Sequence, residues 1–292
     1  MFTWGKRTYV MGIVNATPDS FSGDGLASEA AVTEAAVTEA VVVEAAVARA
    51  HRFVAEGADI LDIGGESTRP GSTPVTAEEE IARVIPVIMA VRQAVNVPIS
   101  VDTYRAGVAE AALAAGADWV NDVWGLRMDP AMARAVARAG CPVVIMHNRS
   151  KPKNVAQEER LGSHYVGVQY DDLIADVQRE LQVSIDLALA AGVKSAQIII
   201  DPGIGFGKTV SQNLRLIDEL DRFKSMGYPI LLGTSRKSFI GHTLDFPPDE
   251  RLEGTAATVA IGIDRGADVV RVHDVKAMVR VARMVDAIVR ET

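Results

Sequence analysis

The sequence is poor in the residues that mark several classes of protein. Its 292 residues include one cysteine, Cys141, so no disulfide can form within the chain, and we expect a reducing, cytoplasmic location. Cys141 lies just before an apolar stretch, which predicts a buried filler rather than a reactive thiol. No apolar run is long enough to span a membrane, and the first ten residues lack the apolar core of a signal peptide.

Positive charge is also scarce. The chain has 30 Lys and Arg against 38 Asp and Glu, which gives a formal net charge of −8 and a pI near 5.2. This balance argues against a nucleic-acid partner. It does not exclude an anionic small molecule, because a local group of cations can oppose the net charge.

A repeated pattern dominates the chain: a short β-branched run, a polar residue, a loop and then an Ala-rich amphipathic segment. The runs are residues 9–14, 60–63, 99–101, 119–120, 143–146, 198–200, 230–232 and 269–272. Unbroken apolar runs are typical of parallel strands covered on both faces. Eight such units favour an α/β fold with one (β/α)8 TIM barrel, and a doubly wound sheet is the alternative. With no linker visible, we predict a single domain over residues 1–292.

Polar residues lie at or just after the ends of all eight runs. They are Asn15, residues 64–69, Asp102, Asn121 with Asp122, His147 with Asn148, Asp201, residues 235–237, and Arg271 with His273. In a barrel, these ends converge on the C-terminal rim, where barrel enzymes carry their sites. Helix capping would explain one such residue but not the whole set. We therefore predict an active site on this rim.

The chemistry of these residues is mixed. Asp102 and Asp201 suit a ligand with several N–H donors, because ionised carboxylates only accept hydrogen bonds. Asn121 both donates and accepts, which suits the edge of a heterocycle. Cations that could gather against phosphate oxygens are Arg69, Lys237, Arg271 and His273. The rim thus predicts a nitrogen-rich ring beside a phosphate or diphosphate.

The chain shows no Cys/His spacing typical of a metal site. His147 and His273 could be zinc ligands, but the neighbouring Arg149 and Arg271 argue against this. A Mg²⁺ ion held mainly by substrate phosphates and one protein oxygen is the better hypothesis.

Two glycine-rich stretches follow strand ends. Residues 201–209, DPGIGFGKT, end in GKT but lack the four-residue spacer of a nucleotide P-loop, so a tight, rigid loop is favoured. Residues 64–71, GGESTRPG, carry a cation between small residues and predict a mobile clamp, with a simple turn as the alternative.

Residues 11–25 combine a buried strand with a long polar loop of turn-forming residues.

Eight phrases in order closely resemble the dihydropteroate synthase family. They are GIVNATPDSFSGDG, DIGGESTRPGS, ISVDT, NDVWG, MHNR, DPGIGFGKT, LGTSRKSFIG and RVHDV. The resemblance covers nearly the whole chain and implies the barrel fold. It also implies a transferase of folate biosynthesis that joins 6-hydroxymethyl-7,8-dihydropterin diphosphate to p-aminobenzoate. The products are 7,8-dihydropteroate and diphosphate, and sulfonamides mimic p-aminobenzoate.

The resemblance also implies residue roles. Pterin binding would fall to Asp102, Asn121, Asp201 and Lys237. Diphosphate binding would fall to Asn15, Arg69, Arg271 and His273, with Mg²⁺ at Asn15. The p-aminobenzoate pocket would be lined by Phe21, Thr68, Pro70, Phe206 and Ser235. Catalysis would rest on Asp24, Asp102, Asp201 and Lys237, with breakage of the methylene–oxygen bond to give a pterin cation that the aniline nitrogen attacks.

Two features depart from the family pattern. The first loop reads Ser22-Gly23-Asp24-Gly25 where many members have Ser-Asp-Gly-Gly, which leaves the acidic role of Asp24 open. Residues 26–56 form a lengthened segment with an AAVTE repeat, for which we expect an extended helix or helical hairpin, or else a disordered insert. The apolar spacing over residues 274–290 predicts a final helix.

The family commonly forms dimers through its later helices, so an isologous homodimer is expected. Two rival functions remain open. One is a methyltransferase that passes a methyl group from methyltetrahydrofolate to a corrinoid, and the other is a catalytically silent pterin-binding paralogue. Release of diphosphate from the two substrates would separate them.

Overall fold

The computed structural model describes residues 2–16, 39–67 and 74–290. Eight parallel strands, numbered here in chain order, form one sheet. They are β1 (Tyr9–Asn15), β2 (Ile60–Gly64), β3 (Ile99–Asp102), β4 (Trp119–Asp122), β5 (Val143–Met146), β6 (Ile198–Asp201), β7 (Leu231–Leu232) and β8 (Val269–Val272). Each predicted apolar run lies in or beside one of these strands.

The sheet curves into a barrel. Its strand order is β6-β5-β4-β3-β2-β1-β8-β7, so β6 and β7 are its two edges. A parallel bridge between Ile200 and Ile230 joins these edges, and Ile200 N donates to Pro229 O over 2.9 Å. The predicted (β/α)8 architecture is therefore confirmed.

Helices follow every barrel strand. They are α1 (Glu39–Glu56), α2 (Ala77–Ala94), α3 (Ala106–Ala114), α4 (Met132–Ala139), α5 (Leu173–Ala190), α6 (Val210–Asp218), α7 (Ser238–Leu244), α8 (Leu252–Asp264) and α9 (Val275–Val289). Short 3₁₀ helices occupy Pro152–Asn154, Ser195–Gln197, Leu220–Met226 and Pro248–Glu250. The final predicted helix is confirmed by α9. Of the lengthened segment 26–56, α1 confirms helix from Glu39 onward, and residues 26–38 lie outside the described ranges.

A small antiparallel hairpin after β5 was not predicted. It pairs Val155–Ala156 with His164–Tyr165. Strands of two residues carry no usable apolar periodicity.

The N-terminal end of the barrel is closed by aromatic side chains. Phe2 stacks on Trp4 with ring centroids 5.4 Å apart, and its ring meets Trp119 of β4 edge-on at 5.1 Å. Tyr9 of β1 contacts both Phe2 and Trp4. Since this end is filled, a ligand has access to the barrel interior from the opposite, C-terminal end.

A repeated Gly-Ala-Asp phrase fixes the starts of neighbouring strands. Gly57, Gly116 and Gly266 end their helices with φ between 101° and 113°, a region where a side chain is strained. The aspartate two residues later accepts from a backbone N–H near the start of an adjacent strand. These bonds join Val10 N to Asp59 (2.9 Å), Ile99 N to Asp118 (2.8 Å) and Ile230 N to Asp268 (3.0 Å).

The main apolar core lies between the strands and the surrounding helices. Cys141 is buried as predicted, and burial raises the pKa of its thiol to about 11, which makes the reactive thiolate rare at neutral pH. In the part of the chain that the structure describes, no helix is both long and apolar enough to cross a membrane.

Candidate active site at the C-terminal rim of the barrel

Strand register brings several predicted site residues to one level at the open end. Asn15 pairs with Gly64, Gly64 with Asp102, and Asp102 with Asn121. Asp201 ends β6 opposite Met146 of β5. Ser100 of β3 pairs with Trp119, whose ring lies inside the barrel against Phe2. Side chains alternate along a strand, so Asp102, two residues after Ser100, points into the barrel mouth. The predicted convergence of these strand ends on one rim is observed.

Arg271 connects two carboxylates in the barrel mouth. Its Nε donates to Asp62 Oδ2 over 2.6 Å, and one terminal nitrogen donates to Asp102 Oδ2 over 2.7 Å. Asn121 Nδ2 also donates to Asp62 Oδ2, over 3.1 Å. Burial raises the pKa of Asp102 to about 7, although the positive charge of Arg271 opposes this. Arg271 thus lies beside a predicted pterin ligand, and its predicted diphosphate role stays a prediction.

Asp62 is a site residue that the sequence reasoning missed. It lies within β2, is fully buried, and joins Arg271 to Asn121. Its Oδ1 and the Oγ of Ser100, its register neighbour on β3, have no hydrogen-bond partner among the described residues. A carboxylate in the middle of an apolar strand was the available signal. A buried charge is retained where it is paired.

Lys237 and Asp201 form the other side of the mouth. Lys237 donates through Nζ to the carbonyl of Ile204, and Nζ lies 4.7 Å from the centroid of the Phe206 ring. Burial lowers the pKa of Lys237 to about 8, against the effect of Asp201. Asp201 accepts from Gly203 N over 2.7 Å. Burial raises the pKa of this carboxyl, with Lys237 the largest opposing influence.

The loops after β7 and β8 are tied together. His273 donates through its backbone N to Ser235 Oγ over 3.1 Å, and its Nδ1 lies 3.0 Å from the same hydroxyl. Next to this contact, Arg236 binds Asp274 through two bonds of 2.9 and 2.5 Å. These pairs set where Ser235 and His273 stand relative to each other.

The zinc alternative gains no support from the described residues. His147 is buried, with one ring nitrogen 3.0 Å from Glu180 and the other 2.9 Å from the ammonium nitrogen of Lys208. His273 has a separate partner in Ser235. Within residues 2–16, 39–67 and 74–290, no group of three or more His, Cys, Asp or Glu could hold a metal ion.

Some of the predicted site residues cannot be placed. Phe21 and Asp24 of the first loop, and Thr68, Arg69 and Pro70 of the second, lie outside the described residues. Their predicted roles stay predictions. The described base of the second loop is tied to the barrel, since Arg105 bonds to both Glu66 and the carbonyl of Val75.

Comparison with known proteins agrees with this geometry. Residues 11–273 match the family described as pterin binding enzyme. A dihydropteroate synthase from Clostridium beijerinckii is 47% identical over 99% of this chain and 97% of its own length. The crystal structure of a dihydropteroate synthase from Clostridium difficile in the presence of pteroic acid covers 100% of both chains at 46% identity, with a TM-score of 0.86. A Xanthomonas albilineans dihydropteroate synthase with 4-aminobenzoic acid is 42% identical, with a TM-score of 0.83, over 98% of this chain and 94% of that one. The chain therefore belongs to the pterin-binding enzyme family and, within it, to the dihydropteroate synthases.

Proposed function

We propose that the barrel mouth joins 6-hydroxymethyl-7,8-dihydropterin diphosphate to p-aminobenzoate by breaking the carbon–oxygen bond before the aniline attacks. The observation that carries this proposal is the group of half-buried Asp102 and buried Asn121 and Asp201 facing Lys237 and Arg271. The related structures with pteroic acid and 4-aminobenzoic acid support the same substrates for this chain.

The carboxylates suit the pterin ring. Ionised Asp102 and Asp201 would accept N–H bonds from the ring, and Asn121 would both donate and accept. Lys237 would donate to a ring acceptor from the opposite side. Since the pKa of Asp102 is raised to about 7, a ring that donates N–H bonds and develops positive charge would favour its ionised form.

The reaction needs no covalent enzyme intermediate. The bond between the pterin methylene carbon and the bridging oxygen breaks, and its electron pair leaves with the diphosphate. The cation left behind is delocalised into the pterin and stabilised by the nearby carboxylates Asp102 and Asp201. The aniline nitrogen then donates its lone pair to the methylene carbon and loses a proton.

Cations would hold the leaving group. Arg271 and His273 stand at the end of β8 and in the loop that follows it, and Arg69 is expected to join them. Their charges would lower the energy of the departing diphosphate.

The residues present fit a Mg²⁺ ion that substrate phosphates mainly hold. Asn15 ends β1 half-buried and offers one amide oxygen at the rim, and the described residues form no multi-ligand acidic or histidine cage. Such a site matches the preference of Mg²⁺ for one or two protein oxygens plus phosphates. When bound, Mg²⁺ would neutralise part of the diphosphate charge.

The p-aminobenzoate pocket would begin at Phe206 and Ser235 and be completed by Phe21, Thr68 and Pro70. Phe206 lies against Lys237, so an aniline beside this ring would be next to the bound pterin. Sulfonamides would compete at the same place, because they present a similar aniline.

We also propose a cytoplasmic homodimer. Apolar side chains are exposed on the last two helices, with Ile261 of α8 at 47%, and Met284 and Ile288 of α9 at 63% and 69%. Exposed apolar patches of this kind mark interaction surfaces. An isologous contact between two copies would cover them.

The deciding experiment mixes the protein with the pterin diphosphate, p-aminobenzoate and Mg²⁺. Formation of 7,8-dihydropteroate with one diphosphate per turnover is expected. Pterin binding without turnover would instead indicate a silent paralogue. Methyl transfer from methyltetrahydrofolate to a corrinoid, with no diphosphate released, would indicate the methyltransferase.

A further inference from the structure

Lys208 is the lysine of the GKT sequence after β6, and its side chain is buried against the carbonyls of its own loop. It is 1% exposed, and its Nζ donates to the carbonyls of Gly203 (2.8 Å) and Phe206 (3.0 Å). In a nucleotide P-loop, the corresponding lysine reaches the phosphates. Here both carbonyls belong to its own loop, so the lysine closes that loop on itself.

A third partner completes the surroundings of Lys208. His147 Nδ1 lies 2.9 Å from Nζ, and its Nε2 lies 3.0 Å from Glu180 Oε2. Burial and then the Lys208 charge lower the pKa of His147 to about 3, so the ring is neutral. Nδ1 then accepts from Lys208, and Nε2–H donates to Glu180. Although burial lowers the pKa of Lys208, three acceptors require the three N–H groups of the ammonium form.

The loop that Lys208 closes packs directly on the loop after β5. Gly203 has φ +73°, and an added Cβ would come within 1.8 Å of His147 O. Gly207 has φ +63°, and an added Cβ would come within 2.3 Å of the Arg149 carbonyl carbon. Both positions need glycine, because the backbones approach closely and φ is positive.

The residues between the two carbonyls that Lys208 binds face the active site. Ile204 presents its carbonyl to Lys237, and the Phe206 ring lies under the Lys237 ammonium. Both lie within the stretch 203–206, whose two ends Lys208 binds. A change at Lys208 would therefore reach the site through Phe206 and the Ile204 carbonyl.

We propose that Lys208 is a positioning residue that holds Phe206 and the Ile204 carbonyl against Lys237 and thereby shapes the p-aminobenzoate side of the site. The inference rests on the roles proposed above for Phe206 and Lys237. It gives the GKT sequence an internal structural task in place of phosphate binding. We expect a smaller effect on the pterin side, because two of its four residues, Asp102 and Asn121, stand on separate strands, and Lys208 reaches that side through Lys237.

The test compares Lys208→Met with wild type and with Lys224→Met, a matched change at an exposed lysine near the other end of the barrel. Methionine keeps the length of the side chain but removes all three donors. For Lys208→Met, we expect the KM for p-aminobenzoate to rise about tenfold and the KM for the pterin diphosphate less than about threefold. Lys224→Met should match wild type in both.

A double-mutant cycle with Phe206→Ala identifies the route of the effect. If Lys208 acts through Phe206, adding Lys208→Met to Phe206→Ala should raise the KM for p-aminobenzoate by less than about twofold further. Full additivity of the two changes, or an equal rise of both KM values, would overturn the proposal. Should Lys208→Met fail to fold, Glu180→Gln takes its place in the cycle. We then expect a smaller rise in the KM for p-aminobenzoate that is again not additive with Phe206→Ala.

Wild-type turnover is measured first. An inactive wild type would count against the proposed function. Failure of the positioning role would instead appear in an active protein, as a Lys208→Met variant whose KM values both stay within about twofold of wild type.

Discussion

Arg271 Nε lies 2.6 Å from Asp62 Oδ2, and the same oxygen accepts from Asn121 Nδ2 at 3.1 Å. One buried carboxylate oxygen thus orients a cation from β8 and an amide from β4. Burial opposes the charge of Arg271, but Asp62 and then Asp102 outweigh it, so the pKa of Arg271 is raised. Asp62 therefore supports two side chains that we assign to substrate binding without itself being assigned to substrate.

Asp62→Asn tests whether Asp62 supports Arg271 and Asn121 in this way. The amide can still accept from one neighbour, but Arg271 keeps only Asp102 as an ion-pair partner. The loss of stability should therefore stay below the about 3 to 5 kcal/mol that leaving a buried charge unpaired costs. We expect a lower unfolding free energy in chemical denaturation and at least about a tenfold weaker pterin affinity by calorimetry. Asp218→Asn, at an exposed ion pair with Arg265, is the control and should change neither. An Asp62→Asn variant with wild-type pterin affinity would contradict this role.

Lys237→Ala should weaken pterin binding and turnover together. The side chain lies over the Phe206 ring, interacts electrostatically with Asp201 and supplies a positive charge inside the mouth. Loss of one preorganised charged donor costs about 100-fold or more in rate. Steady-state kinetics with both substrates would measure this fall in kcat/KM for the pterin diphosphate. Lys276→Ala, at an exposed position on α9, should behave as wild type, and wild-type kinetics in Lys237→Ala would remove Lys237 from the site.

The barrel and most of its rim were predictable because their signals are local. Apolar runs mark strands buried on both faces, and polar residues such as Asp102 and Asp201 follow them directly. The His164–Tyr165 hairpin strand was not predictable, since two residues define no period. The predicted runs also ended before the last residue of most strands, because that residue is often polar, as Asn15, Asp102 and Asp201 are, and yet still pairs with a neighbouring strand.

Asp62 and Lys208 show why contacts within the site were harder to predict. Asp62 lies inside an apolar run, and only the closed barrel shows that its carboxylate meets Arg271 from a strand 209 residues away in sequence. The inward direction of Lys208 follows from positive φ angles at Gly203 and Gly207 and from the adjacent β5 loop. The motif alone gave the residue types but not the direction in which the Lys208 side chain points.

Catalysis should have a narrow pH optimum. Burial raises the pKa of Asp102 to about 7 and lowers that of Lys237 to about 8. In the proposed binding mode, the pterin needs Asp102 ionised and Lys237 protonated, so kcat/KM for the pterin diphosphate should rise through the first pKa and fall through the second. The pH–rate profile of wild type measures both limbs. Asp102→Asn should lose the acidic limb along with most of the activity.

The contribution of Asp102 to the unfolding free energy should fall over the acidic range in which kcat/KM rises. Asp102 holds its proton more tightly in the folded state than at its ordinary pKa of 3.8. Its contribution to the unfolding free energy therefore falls as the pH rises from about 4 to 7. Asp102→Asn should reduce this fall in denaturant titrations across the same range. An unchanged pH dependence of stability in Asp102→Asn would contradict the raised pKa.

Removal of divalent cations should slow turnover, and Asn15 should set how much Mg²⁺ is needed. Asn15 offers one oxygen at the end of β1, and the phosphates would supply most of the remaining ligands. We expect EDTA to lower turnover by about tenfold or more, since the departing diphosphate loses a neutralising charge. In Asn15→Ala, the Mg²⁺ concentration for half-maximal rate should rise several-fold. Pterin binding measured without the diphosphate group should stay unchanged, because the residues that we assign to the ring stand on other strands. Equal Mg²⁺ dependence in wild type and Asn15→Ala would place the ion elsewhere. Loss of ring binding in that variant would show that Asn15 acts on the pterin rather than on the leaving group.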